Sequence, residues 1–135
     1  KERFPNLHIS LNGGVTSLGA VQDLLAKGID GVMIGRSAYQ RPTQILSEVD
    51  KIIFNDDVIR SSFDIADTMR SYLKEHCEKG GRPHQVTRHI TGLFHGLPGA
   101  KNWRHYLSIG SNNDNIDFYD EALAAVVNSI NKCAA

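Results

Sequence analysis

The sequence predicts an α/β segment followed by an all-α segment, and three observations indicate this order. Two short apolar runs near the start end in glycine turns, Asn12-Gly13-Gly14 and Gly35-Arg36, with a helical pattern between them. No strand pattern returns after the polar linker Asn55-Asp56-Asp57. The composition is that of a folded protein, since 41% of the 135 residues are hydrophobic and 22% are charged.

The first segment has the pattern of a βαβ unit. His8-Ile9-Ser10-Leu11 and Gly31-Val32-Met33-Ile34 have the composition of short buried strands. Between them, Ser17 can cap a helix, and Gly28 suits the left-handed residue that ends one. Two parallel strands cannot cover both of their faces and edges. We therefore expect residues 1–57 to be the last βαβ portion of a TIM (β/α)8 barrel whose other strands lie outside this chain.

The second segment, residues 58–135, is expected to be a C-terminal helical bundle domain. Before it, in the first segment, a helix is predicted soon after Pro42 from the apolar residues between 45 and 53, and this helix should end at the linker Asn55-Asp56-Asp57. Within the helical domain, the spacing predicts helices over about 63–78, with Ile65, Met69, Tyr72 and Leu73 on one apolar face, and over about 86–95, 100–108 and 118–131. On the third of these, Trp103 lies on an apolar arc that should face the core, whereas Lys101 and Arg104 lie on the opposite side.

The net charge of zero conceals a basic middle. From Arg70 to His105 there are seven Lys or Arg residues and five His against two acids, while four acids face one Lys from Tyr106 onward. Such a concentration of cations is typical of a protein that binds a polyanion, although a solvated surface would have the same composition. Arg88 could contact RNA or hold a helix junction, and the sequence does not separate these roles.

The two glycine turns predict a phosphate site. In a barrel they would follow neighbouring strands at their carboxyl ends, where such folds often bind phosphate. Glycine allows the backbone to approach an anion closely, and Arg36 can add a two-pronged charged contact. FMN and a sugar phosphate fit this pattern equally well.

Other classes of function find little support in the sequence. Cys77 and Cys133 have neither the CxxC spacing nor a neighbouring His cluster, so we expect free thiols and no metal site. No apolar run has the length of a membrane span, and there is no signal-peptide pattern. The opening residues resemble the interior of a larger protein. We expect that protein to be cytoplasmic and monomeric.

Three stretches together resemble the tRNA-dihydrouridine synthases, most closely the bacterial A-type subfamily that acts around position twenty of the D-loop. They are Asn12-Gly13-Gly14, the run from Gly31 to Pro42, and the run from Thr87 to Ala100 with Trp103 to Leu107. The resemblance implies an FMN-bearing barrel and a helical tRNA-binding domain, with NADPH as reductant. By motif position, the FMN phosphate segments are Asn12, Gly13, Gly14, Gly35 and Arg36. Lys101 and Arg104 match tRNA-contacting positions, and Arg88 is a further candidate.

The resemblance also implies that the catalytic groups lie elsewhere. In this family the cysteine that protonates the uridine, and the Lys and His that contact the flavin, belong to earlier barrel strands, so this chain alone should be inactive and should bind FMN weakly. Two alternatives remain open. One is a fragment of another FMN barrel, of the dihydroorotate or dihydropyrimidine dehydrogenase type, and the other is a stand-alone RNA-binding helical module.

Overall fold

The structure is a computed structural model that describes residues 1–110 and 115–134. Its chain divides after Ile59 into two units. The first unit contains all of the described strands, and the second is helical.

The first unit contains two short parallel strands. Strand β1 covers Ser10–Asn12 and strand β2 covers Gly31–Met33. Leu11 lies opposite Val32 in the register, so the two strands end side by side. The predicted parallel pairing is confirmed, and it carries the two glycine turns to the same edge of the sheet.

Helix α1 (Leu18–Ala26) connects the strands and has the predicted ends. The hydroxyl of Ser17 accepts a hydrogen bond from the backbone N–H of Ala20 at 3.3 Å, which caps the first turn. After the helix, Gly28 has a φ of +83°, a left-handed conformation that glycine adopts without strain. Both helix-end predictions are therefore confirmed.

Beyond β2 the chain forms three short helices, α2 (Arg36–Gln40), α3 (Pro42–Ile45) and α4 (Val49–Phe54). The prediction of one helix here is wrong, because the chain turns at 46–48. This turn buries Ile45 while leaving Leu46 exposed, and it brings α4 against α1. Burial of the apolar residues against a neighbouring helix thus outweighed the local periodicity.

The second unit contains helices α5 (Ser62–Glu78), α6 (His84–Thr87), α7 (Ala100–Gly110) and α8 (Asp117–Ala134). The predictions for α5, α7 and α8 are confirmed. Helix α5 begins with a capping box, in which the Ser61 hydroxyl and the Asp64 carboxylate each bind the other residue's backbone N–H.

The prediction of a helix over 86–95 is wrong. Helix α6 ends at Thr87, and the chain from there to Gly99 is a series of turns closed by hydrogen bonds between residues three apart. Successive tight turns bury Leu93 and Phe94 together, which explains why the apolar spacing resembled that of a helix.

The core of this unit is a chain of aromatic rings. Trp103 packs edge-on against Phe94 and against Tyr119, with ring centroids 4.8 and 5.2 Å apart. The Trp103 indole N–H donates to the carbonyl of Ile90 at 2.9 Å, and the Tyr119 hydroxyl donates to the carbonyl of Ala66 at 2.8 Å. The predicted core position of Trp103 is confirmed, since its side chain has no exposed surface.

Candidate functional site

The two glycine turns of the first unit line one pocket. Its volume is about 270 Å³, and it lies where β1 and β2 end. It is lined by Asn12, Gly13, Gly14, Val15, Thr16, Met33, Gly35, Arg36 and Ser37. The structure therefore brings together all five residues that the sequence nominated for a phosphate site.

The backbone of the first turn explains its glycines. Gly13 has a φ of +113° and Gly14 a φ of +74°, values that other residues adopt only with strain. A Cβ atom at either position would meet no other atom within 4 Å. These glycines are thus required by the turn rather than by close packing, and the space above them is open for a ligand.

The second turn contributes a cation. Arg36 follows Gly35 directly, and its side chain is exposed at the pocket. Within residues 1–110 and 115–134, no carboxylate forms an ion pair with Arg36. A guanidinium in this state is available to bind the oxygens of an anion in a bidentate manner.

Two hydroxyl residues of the pocket were missed by the sequence analysis. Thr16 and Ser37 each lie two residues beyond a glycine of a turn and line the same cavity. Ser and Thr hydroxyls donate hydrogen bonds to anions. The signal that could have revealed them was the repeat of a hydroxyl residue shortly after each turn.

In the second unit, helix α7 presents its predicted basic face to solvent. Lys101 and Arg104 are exposed, whereas Trp103 and Leu107 are buried in the core. The predicted division of this helix into an apolar and a cationic side is confirmed. Because the buried side anchors the helix, the two cations are held on a rigid element.

The cations of α5 and α7 differ in their partners. On α5, Arg70 donates from two nitrogens to both carboxylate oxygens of Asp120, at 2.6 and 2.5 Å, and just after the helix Lys79 pairs with Glu75. In the parts of the chain that the structure describes, neither Lys101 nor Arg104 pairs with an acid. The basic middle of the sequence thus separates into neutralised cations on α5 and available cations on α7.

Arg88 lies at the C-terminal end of α6, a helix that contacts α7. Its Nε donates to Nε2 of His89 at 3.0 Å, and its side chain is exposed. The sequence from Gly80 to Asn113 contains no Asp or Glu, so this residue belongs to the same acid-free stretch as Lys101 and Arg104.

Both cysteines lie in the second unit. Cys77 is half-buried beside the core of the second unit, where burial raises the pKa of its thiol, and Cys133 is exposed near the end of α8. The described residues contain no group of three His, Cys, Asp or Glu side chains placed to hold a metal ion. Among them, no helix has the length and apolarity needed to cross a membrane.

Comparison with known proteins gives one consistent family. The profile of the family described as "Dihydrouridine synthase (Dus)" matches residues 1–131, which include both units. The chain is 45% identical over 109 residues to the tRNA-dihydrouridine(20/20a) synthase of Shewanella oneidensis, covering 80% of this chain and 32% of that relative.

Two further relatives have the same description. The tRNA-dihydrouridine(20/20a) synthase of Yersinia pestis is 38% identical over 129 residues, which are 93% of this chain and 37% of the relative. That of Pseudomonas putida is 44% identical over 109 residues, which are 80% and 32%. The chain therefore spans about a third of the length of the curated relatives that it matches.

Proposed function

The chain belongs to the dihydrouridine synthase family, and we propose that it is part of an enzyme that uses FMN and NADPH to reduce a D-loop uridine of tRNA, of the position 20/20a class, to 5,6-dihydrouridine. Within that enzyme the chain contributes the FMN phosphate site and a helical tRNA-binding unit. The family match favours this assignment over an FMN dehydrogenase of another type, and its extent over both units favours it over an isolated RNA-binding module.

The observation that carries the proposal is the shared pocket. Its open glycine turn and its exposed Arg36 fit a phosphate monoester. Backbone N–H groups can approach such a group closely at the turn, and a guanidinium can bind two of its oxygens. The residues that would hold the FMN phosphate are Asn12, Gly13, Gly14, Gly35 and Arg36. The two-electron redox chemistry of the reduction is supplied by the flavin when it is bound. This chain's own residues fix the phosphate and so orient the cofactor.

The sheet supports a place for this unit in a TIM barrel. Strands β1 and β2 are parallel and are connected by helix α1. Both turns follow the carboxyl ends of the strands, where barrels bind phosphate. Met33 at the end of β2 and Leu7 before β1 are exposed although both are apolar. Further barrel strands would cover such residues.

The helical unit is proposed to bind the tRNA through Lys101 and Arg104, with Arg88 as a further contact. Support comes from the exposure of these side chains and from the absence of acids between residues 80 and 113. Lys101 and Arg104 have no acidic partner within the described residues, so they can bind phosphates and release the counterions without first breaking an ion pair. Arg104 can also bind a phosphate in a bidentate manner.

The phosphate site is tested by titrating the 135-residue chain with FMN and following the flavin fluorescence. We expect weak, saturable binding that inorganic phosphate competes away and that Arg36→Ala weakens by about 10- to 100-fold, because a charge-assisted contact is lost. Arg41→Ala is the matched control, since Arg41 is an exposed arginine of the same unit that does not line the pocket. Equal effects of the two substitutions would contradict the assignment.

The tRNA contacts are tested by measuring the affinity for unmodified tRNA over a range of salt concentrations. Replacing both Lys101 and Arg104 by Ala should lower the slope of log K against log salt by about 1.4 to 1.8, because each phosphate contact contributes about 0.7 to 0.9. Lys74→Ala serves as control, since Lys74 is an exposed lysine of the same unit that has Glu78 at 4.0 Å, whereas Lys101 has no acid near it within the described residues. A slope that does not change in the double variant would remove both residues from the interface.

A further inference from the structure

Helix α5 exposes an aromatic side chain that its sequence pattern assigns to the core. Apolar periodicity groups Tyr72 with Leu73, yet Leu73 is buried and the Tyr72 side chain is 54% exposed. Its hydroxyl has no hydrogen-bond partner within residues 1–110 and 115–134. Tyr119 differs in both respects, because it is fully buried and its hydroxyl donates to a backbone carbonyl.

The Tyr72 ring is part of a small stacked assembly. It stacks on the ring of His76, one helical turn later, with centroids 6.2 Å apart and planes 21° apart. The imidazole also lies close to the backbone of Gly81. A Cβ at Gly81 would come within 2.1 Å of the His76 ring, so any other residue there would displace the ring. The His76 ring thus contacts both Tyr72 and the backbone that follows the helix.

A hydrogen bond fixes the orientation of this assembly. His76 Nε2 lies 2.9 Å from the side-chain oxygen of Gln85, and the same oxygen accepts the backbone N–H of Arg82 at 3.0 Å. This oxygen thus connects the aromatic pair to the start of the acid-free stretch. A side chain held in this way loses little conformational entropy when a ligand stacks on it.

The charges around the aromatic pair favour an anionic ligand. The Arg82 side chain is exposed and, in the described parts of the chain, forms no ion pair. Lys79 also lies near Tyr72, although Glu75 neutralises it. The backbone of Arg82 shares the Gln85 oxygen with His76, so this residue lies close in the chain and in space to the aromatic pair. An exposed aromatic ring and an available guanidinium on neighbouring residues are the two groups that proteins use for an unpaired nucleotide, with the ring stacking on the base and the cation binding the phosphate.

We propose that Tyr72, stacked on His76, together with Arg82, forms a binding site for one unpaired nucleotide of an RNA. This aromatic site is distinct from the cations of α7. The proposal rests on the proposed function, since it supposes that the helical unit binds tRNA. It adds that this unit recognises a base that is not paired, whereas Lys101 and Arg104 contact the backbone.

The test measures binding of the 135-residue chain to a fluorescent single-stranded oligouridylate and to an RNA duplex of equal length. Tyr72→Ala should weaken single-strand binding by about 5- to 150-fold, the range found when a stacking aromatic is removed. Duplex binding should change less than twofold, because paired bases cannot stack on the ring. Tyr72→Phe keeps the ring and should bind as the unsubstituted chain does. Arg82→Ala should lower the salt slope for the single strand by about 0.7.

The matched control is Tyr39→Ala, which removes a tyrosine of equal exposure, 54%, from the first unit. Equal losses from Tyr72→Ala and Tyr39→Ala, or equal losses for single strand and duplex, would overturn the proposal. Far-UV circular dichroism verifies that each variant is folded, and Trp103 fluorescence adds the same check for the variants of the helical unit. If the Lys101→Ala, Arg104→Ala double variant loses tRNA affinity while Tyr72→Ala does not, the aromatic site is wrong and the proposed function stands. If the unsubstituted chain binds no RNA, both are wrong.

Discussion

Two glycines of the helical unit have almost the same backbone conformation but very different surroundings. Gly80 has a φ of +85° and Gly99 a φ of +88°. A Cβ at Gly80 would meet nothing within 4 Å, whereas a Cβ at Gly99 would lie 2.7 Å from the Cα of Val126 and 3.0 Å from the Cβ of Ser129. Substituting alanine at both positions therefore separates the cost of the left-handed backbone from the cost of the close contact.

The expected magnitudes follow from this geometry. Gly80→Ala should lower the free energy of unfolding by about 1 kcal/mol, since alanine in the left-handed region costs about 1–2 kcal/mol and the stiffer unfolded chain offsets part of this. Gly99→Ala has the same backbone cost and also overpacks against the backbone of α8, which adds about 1–3 kcal/mol. Its total loss should be about 2–4 kcal/mol.

Urea denaturation followed by tryptophan fluorescence measures both variants. Trp103 is the only tryptophan of the chain and lies in the core of the unit that contains both glycines, so its signal reports that unit's unfolding. Because Gly99 directly precedes α7, the alanine should also shift the start of this helix and weaken tRNA binding. Losses for Gly80→Ala and Gly99→Ala that agree within about 0.5 kcal/mol would refute the packing argument.

Two further predictions concern interactions between α5 and α8. Tyr119→Phe should cost about 1 kcal/mol of unfolding free energy in the same urea assay, because it removes the buried hydrogen bond to the Ala66 carbonyl, and an unchanged midpoint would contradict this. The hydrogen bond from Arg70 lowers the pKa of Asp120, so the stabilisation from this pair is present above the unfolded pKa of about 3.9 and is lost as the pH falls below it. Since both side chains are about half exposed, the loss should be at most about 1 kcal/mol, and Arg70→Met should abolish this part of the acid sensitivity. An identical pH dependence in the Arg70→Met variant would exclude the pair as its source.

Features that depend on neighbouring residues in the chain were predictable from the sequence. Ser17 caps α1 and Gly28 follows its end because a hydroxyl and a flexible backbone satisfy the helix termini locally. The division of α7 into a buried side with Trp103 and an exposed side with Lys101 follows from the helical repeat alone.

Errors arose where a periodic pattern had more than one solution. On α5 the residues that pack inward include Ala66, Met69, Leu73 and Cys77, a stripe that leaves Tyr72 one position outside it. Alanine carries little apolar surface, so the pattern of large residues pointed to Tyr72 instead. Over 86–95 the same apolar residues are buried by successive turns rather than by one helix.

What the sequence determined by itself was the strand, helix and strand of the first unit, the glycine turns after the strands, and the side of α7 that carries its cations, because each is set within a few residues. Only the tertiary structure decided that Thr16 and Ser37 share the pocket of the two turns, and that Arg70 is paired with Asp120 while Arg104 has no acidic partner among the residues that the structure describes. These properties depend on which residues distant in the chain come into contact. Strand pairing and helix packing settle that, and no local pattern encodes it.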